Sequence, residues 1–249
     1  MTEAAEAGAP PRRRRSRTRD ARYTRAVTSS ARRSGPARRG RFITIEGPDG
    51  SGKTLQAERL HALAVARGVP CVLTREPGGT WAGERIREIL LGASSTNERI
   101  SPRADALLFS AARAQLVAEV VEPALARGEL VIDARHADST LAYQGFGRGL
   151  DVDELRAIQR FATAGLVPDL TILLDLPVEL GLARKAAADE NRFEVGFDLD
   201  FHRRVRDGYL ALARLEPGRW IVVEAARDAD AVHEAVVAAV ARLEPRLRG

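Results

Sequence analysis

Residues 47–54 read Gly-Pro-Asp-Gly-Ser-Gly-Lys-Thr, the spacing G-x-x-x-x-G-K-[ST] of a phosphate-binding loop. The chemistry asked of such a loop is anion capture. Gly47, Gly50 and Gly52 let backbone N–H groups turn inward, while Pro48 and Ser51 complete the turn. The helix that follows adds the positive end of its dipole. Lys53 should reach the β- and γ-phosphates of a nucleoside triphosphate, and the Thr54 hydroxyl should ligand Mg²⁺. Of 39 basic residues only Lys53 and Lys185 are lysine, so each kept lysine is a candidate for a specific task. Asp49 is an acid inside a loop built for anions, which is electrostatically odd unless it serves a purpose of its own. The motif specifies nucleotide binding but no substrate, because GTPases, ATPases and small-molecule kinases share it.

Two further groups have chemical types that suit a second phosphate and a base. Arg75 falls just past the second expected strand, where α/β folds place ligands. A guanidinium there holds phosphate by two parallel hydrogen bonds, and the rigid Glu76-Pro77-Gly78-Gly79 that follows is not what a plain surface arginine needs. Phe109 and Arg113 lie four apart, on one helical face. A helical Phe is usually core, but a core stripe does not normally carry arginine.

The elements that must position these residues alternate in kind. Strands are expected at Phe42–Glu46, Val69–Thr74, Leu130–Ala134, Leu170–Leu176 and Trp220–Glu224. Helices are expected over about 53–67, 82–91, 103–127, 151–164, 177–187, 199–215 and 228–244. Strand–helix alternation predicts a doubly wound α/β sheet of five parallel strands covered on both faces.

Composition bounds the rest. The 249 residues are 45% hydrophobic with one cysteine, Cys71, so no intramolecular disulfide forms and a reducing, cytoplasmic setting is expected. No apolar run approaches the roughly 20 residues a bilayer span needs, and the charged start has no signal-peptide pattern. Residues 1–40 carry 12 arginines against three acids, +9, which leaves −4 for the remainder of a total of +5. This segment has almost no large apolar residues and is read as a disordered basic tail before one domain, 41–249. The run Arg12–Arg15 could meet nucleic acid or another anionic surface, although a solvated tail is the plainer reading.

Beyond the phosphate loop, Thr74-Arg75-Glu76-Pro77-Gly78-Gly79-Thr80, Leu108-Phe109-Ser110-Ala111-Ala112-Arg113-Ala114-Gln115, Arg135-His136-Ala137-Asp138-Ser139-Thr140-Leu141-Ala142-Tyr143-Gln144-Gly145 and Arg192-Phe193-Glu194 stand in fixed order. Together they resemble the motifs of the thymidylate kinase family, over about Arg41 to the C-terminus. The resemblance implies a P-loop NTPase-like fold with a lid over about 186–197. The implied reaction moves the γ-phosphate of ATP onto dTMP with Mg²⁺, in a homodimer that has the helix over about 103–127 as a candidate interface. It further implies that Arg75 holds the acceptor phosphate and that a cis peptide at Glu76–Pro77 shapes the wall near the thymine methyl. Phe109 would stack on the base, Arg113 would donate to a thymine carbonyl, and Thr140 and Gln144 would help read it. Asp49 would accept from the 3′-hydroxyl, and Tyr143 would lie under the sugar and disfavour a 2′-hydroxyl. Lys53, Arg75, Arg135 and Arg192 would neutralise the transferring phosphoryl group, and Arg184 would lie near adenine.

The chain departs from the family at two places. The family has Asp directly before the arginine at 135, thought to organise the Mg²⁺ region, whereas this chain reads Asp133-Ala134-Arg135. Successive residues of an extended segment face opposite ways, so Asp133 cannot take that role without a bulge. Glu46 and Asp133 are the remaining acidic candidates. Second, the loop holds no basic residue between Pro48 and Ser51, which points to the members that place arginines in the lid. Yet this lid offers only Arg184, Lys185 and Arg192, with Asn191 where the family has Asp. Two other readings stay open at this point: a kinase for another pyrimidine monophosphate, and a degenerate homologue that binds nucleotides with little or no turnover.

Overall fold

The computed structural model describes residues 39–93, 100–187 and 198–248. The chain begins with β1 (Phe42–Glu46), α1 (Lys53–Ala66), β2 (Cys71–Arg75), α2 (Trp81–Ala93) and α3 (Pro102–Leu116). A π turn at Val117–Val121 links α3 to α4 (Glu122–Ala126). Then come β3 (Leu130–Ala134), α5 (Ala137–Thr140) running into a π turn at Leu141–Gly147, α6 (Val152–Ala162) and β4 (Leu170–Asp175). α7 (Val178–Ala187), α8 (Leu199–Leu215), β5 (Trp220–Glu224) and α9 (Ala229–Val240) complete the fold. The five strands form one wholly parallel sheet in the order β2-β3-β1-β4-β5, the doubly wound arrangement expected.

Strand alternation splits the core in two. Ile43, Ile45, Ile132, Ala134, Ile172 and Leu174 face α1 and α9, packing with Leu60, Val232 and Val236. The opposite face carries Phe42 and Val131 against Leu116 and Leu125, and Leu173 and Trp220 against Tyr143, Phe201 and Tyr209. Near-continuous apolar strands are what a sheet covered on both faces requires.

The differences from expectation are local. β2 begins at Cys71 rather than Val69, because Pro70 has no N–H for the ladder. α9 stops at Val240, with a short 3₁₀ turn at Pro245–Leu247 beyond it. The single helix expected over 103–127 is α3 and α4 joined through a π turn. Pro123 has no N–H for the carbonyl four residues back and its ring crowds that turn, so the ladder widens there. The turn of helix from Ala137 to Gly147 was not expected at all. The segment leading into it and the C-terminal ends of β1, β2 and β3 meet where strand order reverses, the place such sheets bind ligands. The basic tail up to residue 38, and residues 188–197 of the expected lid, lie outside the described residues.

Candidate active site

A cavity of about 460 Å³ opens at that reversal point. One side is the phosphate loop, through Asp49, Gly50, Gly52, Lys53 and Thr54. The other sides are Arg75 at the end of β2 and Pro77 beyond it, Phe109 of α3, Ala134 and Arg135 at the end of β3, Thr140, Tyr143 and Gln144, and Arg184 and Lys185 of α7.

The loop takes its shape from glycines in a left-handed backbone. Gly50 and Gly52 have φ of 72° and 87°, a region side chains rarely adopt. A Cβ on Gly50 would lie 2.1 Å from the carbonyl oxygen of Gly181 in α7, and one on Gly181 would lie 2.2 Å from the Asp49 carbonyl oxygen. Loop and helix therefore touch backbone to backbone. The Lys53 ammonium donates to the Gly47 and Pro48 carbonyls at 2.8 and 2.7 Å and reaches Ser51 Oγ at 3.4 Å. Gly47, Pro48 and Ser51 thus stand behind the loop's inner surface and hold the lysine.

Asp49 is the hub of a cationic knot. Its Oδ1 accepts from Arg135 Nη2 at 2.7 Å and from the Tyr143 hydroxyl at 2.9 Å, and its Oδ2 lies 3.7 Å from Lys185 Nζ and 3.8 Å from His202 Nδ1. Burial alone would raise its pKa; the charges of Arg135, Lys53 and Lys185 and the Tyr143 hydrogen bond hold it at about 2, so it is a carboxylate at neutral pH. Arg135 has φ of 76°, a left-handed backbone that costs a non-glycine residue about 1 kcal/mol or more and is typical of functional sites. That turn lays its guanidinium 4.9 Å over the Tyr143 ring, a cation–π contact.

Arg75 leans on Glu84 at 3.6 Å, and Glu84 in turn accepts from the Gly79 N–H at 2.8 Å. The Glu76–Pro77 peptide is cis, as the resemblance implied, and Arg87 donates to the Pro77 carbonyl at 3.0 Å. Arg113 does not border the cavity; it is 1% exposed and stands directly behind its wall. Nη1 donates to Thr140 Oγ1 at 3.0 Å and to Gln159 Oε1, and Nη2 donates to the His136 carbonyl at 2.9 Å and pairs with Glu76 Oε2 at 2.5 Å. Three of its five N–H groups donate hydrogen bonds and a fourth faces the Glu76 carboxylate in an ion pair, while the Nε–H has no hydrogen-bond partner among the described residues. Gln144 reaches the wall with its amide NH₂ held by Asp105 at 2.8 Å. Arg184 donates to the Ala225 carbonyl at 3.0 Å. Arg192 lies outside the described residues.

Neither remaining acidic candidate faces the cavity. β3 pairs regularly through Ala134, without a bulge, so Ala134 looks into the site and Asp133 away from it. Glu46 accepts from the His136 N–H at 2.6 Å, the Ser139 hydroxyl at 2.6 Å and the Tyr209 hydroxyl at 2.9 Å. Burial, reinforced by Asp138, raises its pKa. It is an internal anchor for the segment after β3. Sequence reasoning did not single out His202 or Arg87, and gave Lys185 no contact to Asp49; the scarcity of lysine was the one signal for it.

An anion loop and a second basic wall facing each other across one cavity can hold two phosphates end to end. With this strand order they define the chain as a nucleotide-binding protein of the P-loop NTPase fold. A family model described as thymidylate kinase matches residues 45–236. The thymidylate kinase of Deinococcus radiodurans is 52% identical over 202 residues, covering 81% of this chain and 96% of that protein. That of Thermomicrobium roseum is 51% identical over 209 residues, covering 83% and 97%. The crystal structure of thymidylate kinase from Ehrlichia chaffeensis superposes with a TM-score of 0.64 at 32% identity, covering 80% of this chain and 97% of that one. The chain belongs to the thymidylate kinase family.

Proposed function

We propose that this chain is a dTMP kinase, transferring the γ-phosphoryl group of ATP to dTMP to give dTDP and ADP. The observation that carries the reading is the cavity itself, which joins an ATP-type phosphate loop to an arginine-rich wall bearing Phe109, Tyr143, Thr140 and Gln144, within a chain about half identical to named thymidylate kinases.

The attacking atom is an oxygen of the dTMP phosphate, largely ionised near neutral pH because the second phosphate pKa is about 6. No general base is required. The new bond forms between that oxygen and the γ-phosphorus, and the bond to the β–γ bridging oxygen breaks with ADP as leaving group. Catalysis then rests on position and charge. Lys53 leaves its loop carbonyls for the β- and γ-phosphates. Arg75 grips the acceptor phosphate, and Arg135, braced by Asp49, neutralises the group in flight. Arg192 from the lid and Arg184 beside the adenine complete the donor side. Phe109 stacks on thymine. Thr140 and Gln144 read its edge, Arg113 holds Thr140 from behind the wall, and Pro77 bounds its methyl. Asp49 takes the 3′-hydroxyl, and Tyr143, fixed by Asp49, fills the space a 2′-hydroxyl would need.

Mg²⁺ bound with ATP would supply charge neutralisation across the phosphates. The residues present fit a modest protein share of its shell: Thr54 offers a hydroxyl at the cavity, and Mg²⁺ usually keeps several waters and phosphate oxygens as ligands. Ala134 offers nothing. We place the protein in the cytoplasm, where its substrates are; among the described residues no helix is long and apolar enough to cross a membrane. It works as a homodimer through the α3–α6 side, where Leu107 and Phe161 are exposed at 55% and 90%.

The reading is tested by comparing kcat/KM for dTMP, dUMP and CMP with Mg-ATP. A clear preference for dTMP is expected. Equal use of CMP would overturn the base assignment.

A further inference from the structure

Behind the dTMP wall lies a buried group of four ionisable side chains to which the mechanism gives no role beyond Arg113. His136 Nδ1 is 2.8 Å from Glu76 Oε1 and 3.4 Å from Asp133 Oδ2, and Glu76 Oε2 is 2.5 Å from Arg113 Nη2. Asp133 and His136 are fully buried. Among the described residues both Asp133 oxygens lack a hydrogen-bond partner, as does Nε2 of His136, whose ring packs edge-on with Phe42.

We propose that His136, charged and held by Asp133, is a positioning residue for the dTMP end of the site: it locks Glu76 against Arg113 and so fixes Arg113, Thr140 and the Glu76–Pro77 corner. The inference rests on the dTMP reading above. Geometry carries it. Glu76 lies between two cations and immediately before Pro77 of the cavity wall. Arg113 in turn binds both the His136 carbonyl and the Thr140 hydroxyl. A rotation of Glu76 would release all of these together.

Charge explains why Asp133 belongs to the device. Above about pH 7, where Asp133 is ionised, two carboxylates, one guanidinium and one imidazolium sum to zero in this buried site; a neutral imidazole then leaves −1, which burial penalises heavily. The groups facing His136 are Glu76 just after β2, Asp133 on β3 and Arg113 on α3, with Glu46 of β1 on its backbone N–H. Burial would lower the His136 pKa, but Glu76 and Asp133 raise it to about 9. Glu76, Asp133 and His136 also have the ligand types of a divalent cation site. The arginine on Glu76 and the proton on His136 already balance the charge there, so no metal is needed.

The test is steady-state kinetics of the full chain with His136→Phe, Asp133→Asn and the double variant. His136→Phe keeps a ring beside Phe42 but leaves Asp133 uncompensated. It should raise KM for dTMP roughly ten-fold or more, the scale of one charged hydrogen bond, with KM for ATP within about two-fold. The double variant should recover most of that loss, because removing both charges restores balance. KM for dTMP of the parent should rise as pH passes from 8 to 10, and that of His136→Phe should stay flat after correction for substrate ionisation. If His136→Phe fails to fold, the double variant and Asp133→Asn still carry the comparison. A variant that loses thermal stability with KM for dTMP unchanged would overturn the inference, as would loss of dTMP affinity from the parent on dialysis against a chelator. Absence of any dTMP turnover in the parent would instead defeat the functional reading.

Discussion

At the scale of single residues, the site is organised by one buried carboxylate. Asp49 collects Arg135, Tyr143 and Lys185, which explains an acid inside an anion-binding loop: it spaces and orients cations rather than repelling phosphate. In the proposed reaction Lys53 is the cation that serves the transferring group, so Lys53→Met should lower kcat by about 10²-fold or more, the usual cost of one transition-state donor, while leaving dTMP affinity near that of the parent. A rate assay with an equilibrium dialysis measurement of dTMP checks both. Tyr143→Phe removes the hydroxyl that reaches Asp49 but keeps the ring under Arg135. It should cost little stability and narrow the preference for a deoxyribose over a ribose acceptor, read as the ratio of kcat/KM for dTMP and its ribose counterpart. Of these roles, the loop's was written in the sequence by spacing alone. The internal partners of Arg113 were not, since bonds to residues 23, 27 and 46 positions away leave no local pattern.

At the scale of elements, the strands and long helices were legible because their apolar periods are strong; β1, β3 and β5 fall where the pattern put them. The helical turn from Ala137 to Gly147 was not. Several of its buried residues are polar and are satisfied by remote partners, Asp138 by Arg219 at 2.7 Å and Ser139 by Glu46 at 2.6 Å. No apolar stripe along the sequence announces such a segment. Nor does sequence show that α7 rests on the phosphate loop through Gly181. Gly181→Ala puts a Cβ 2.2 Å from the Asp49 carbonyl oxygen. That overpacking should cost about 1–3 kcal/mol, a drop in Tm of roughly 2–10 °C for a domain of this size, and raise KM for ATP. Gly218→Ala, where a Cβ meets nothing, is the matched control and should leave both unchanged.

At the scale of the whole molecule, buried ionisable groups make stability depend on pH in three windows. Asp49 has a folded pKa of about 2, depressed by its cations against burial. It therefore stabilises the fold above the unfolded value near 3.8, and that contribution is lost as pH falls through about 2. His136 runs the other way. Its folded pKa, about 9, exceeds the usual 6.5, so its contribution is complete below about 6.5 and is lost as pH rises through about 9. Asp133, raised to about 7 chiefly by burial, holds its proton longer when folded, and its ionisation removes stability between about 4 and 7. Both effects weaken the fold with rising pH; for His136 the loss is on the order of 3 kcal/mol. Urea denaturation at pH 6.5 and 9.5 should show it in the parent, and the slope should be much reduced in His136→Phe.

Of the two departures from the resembled motifs, the one within the described residues is Ala134, which lines the cavity. In the proposed reaction the cation set of this cavity suffices for phosphoryl transfer without a carboxylate at position 134. The direct measurement is chromatographic detection of dTDP from dTMP and Mg-ATP with the full chain, with ADP release followed in parallel. dTDP and ADP are expected in equal amounts, with ADP release dependent on dTMP. Binding of dTMP with no dTDP above background would contradict the proposed reaction, and would assign to Ala134→Asp the test of what the site lacks.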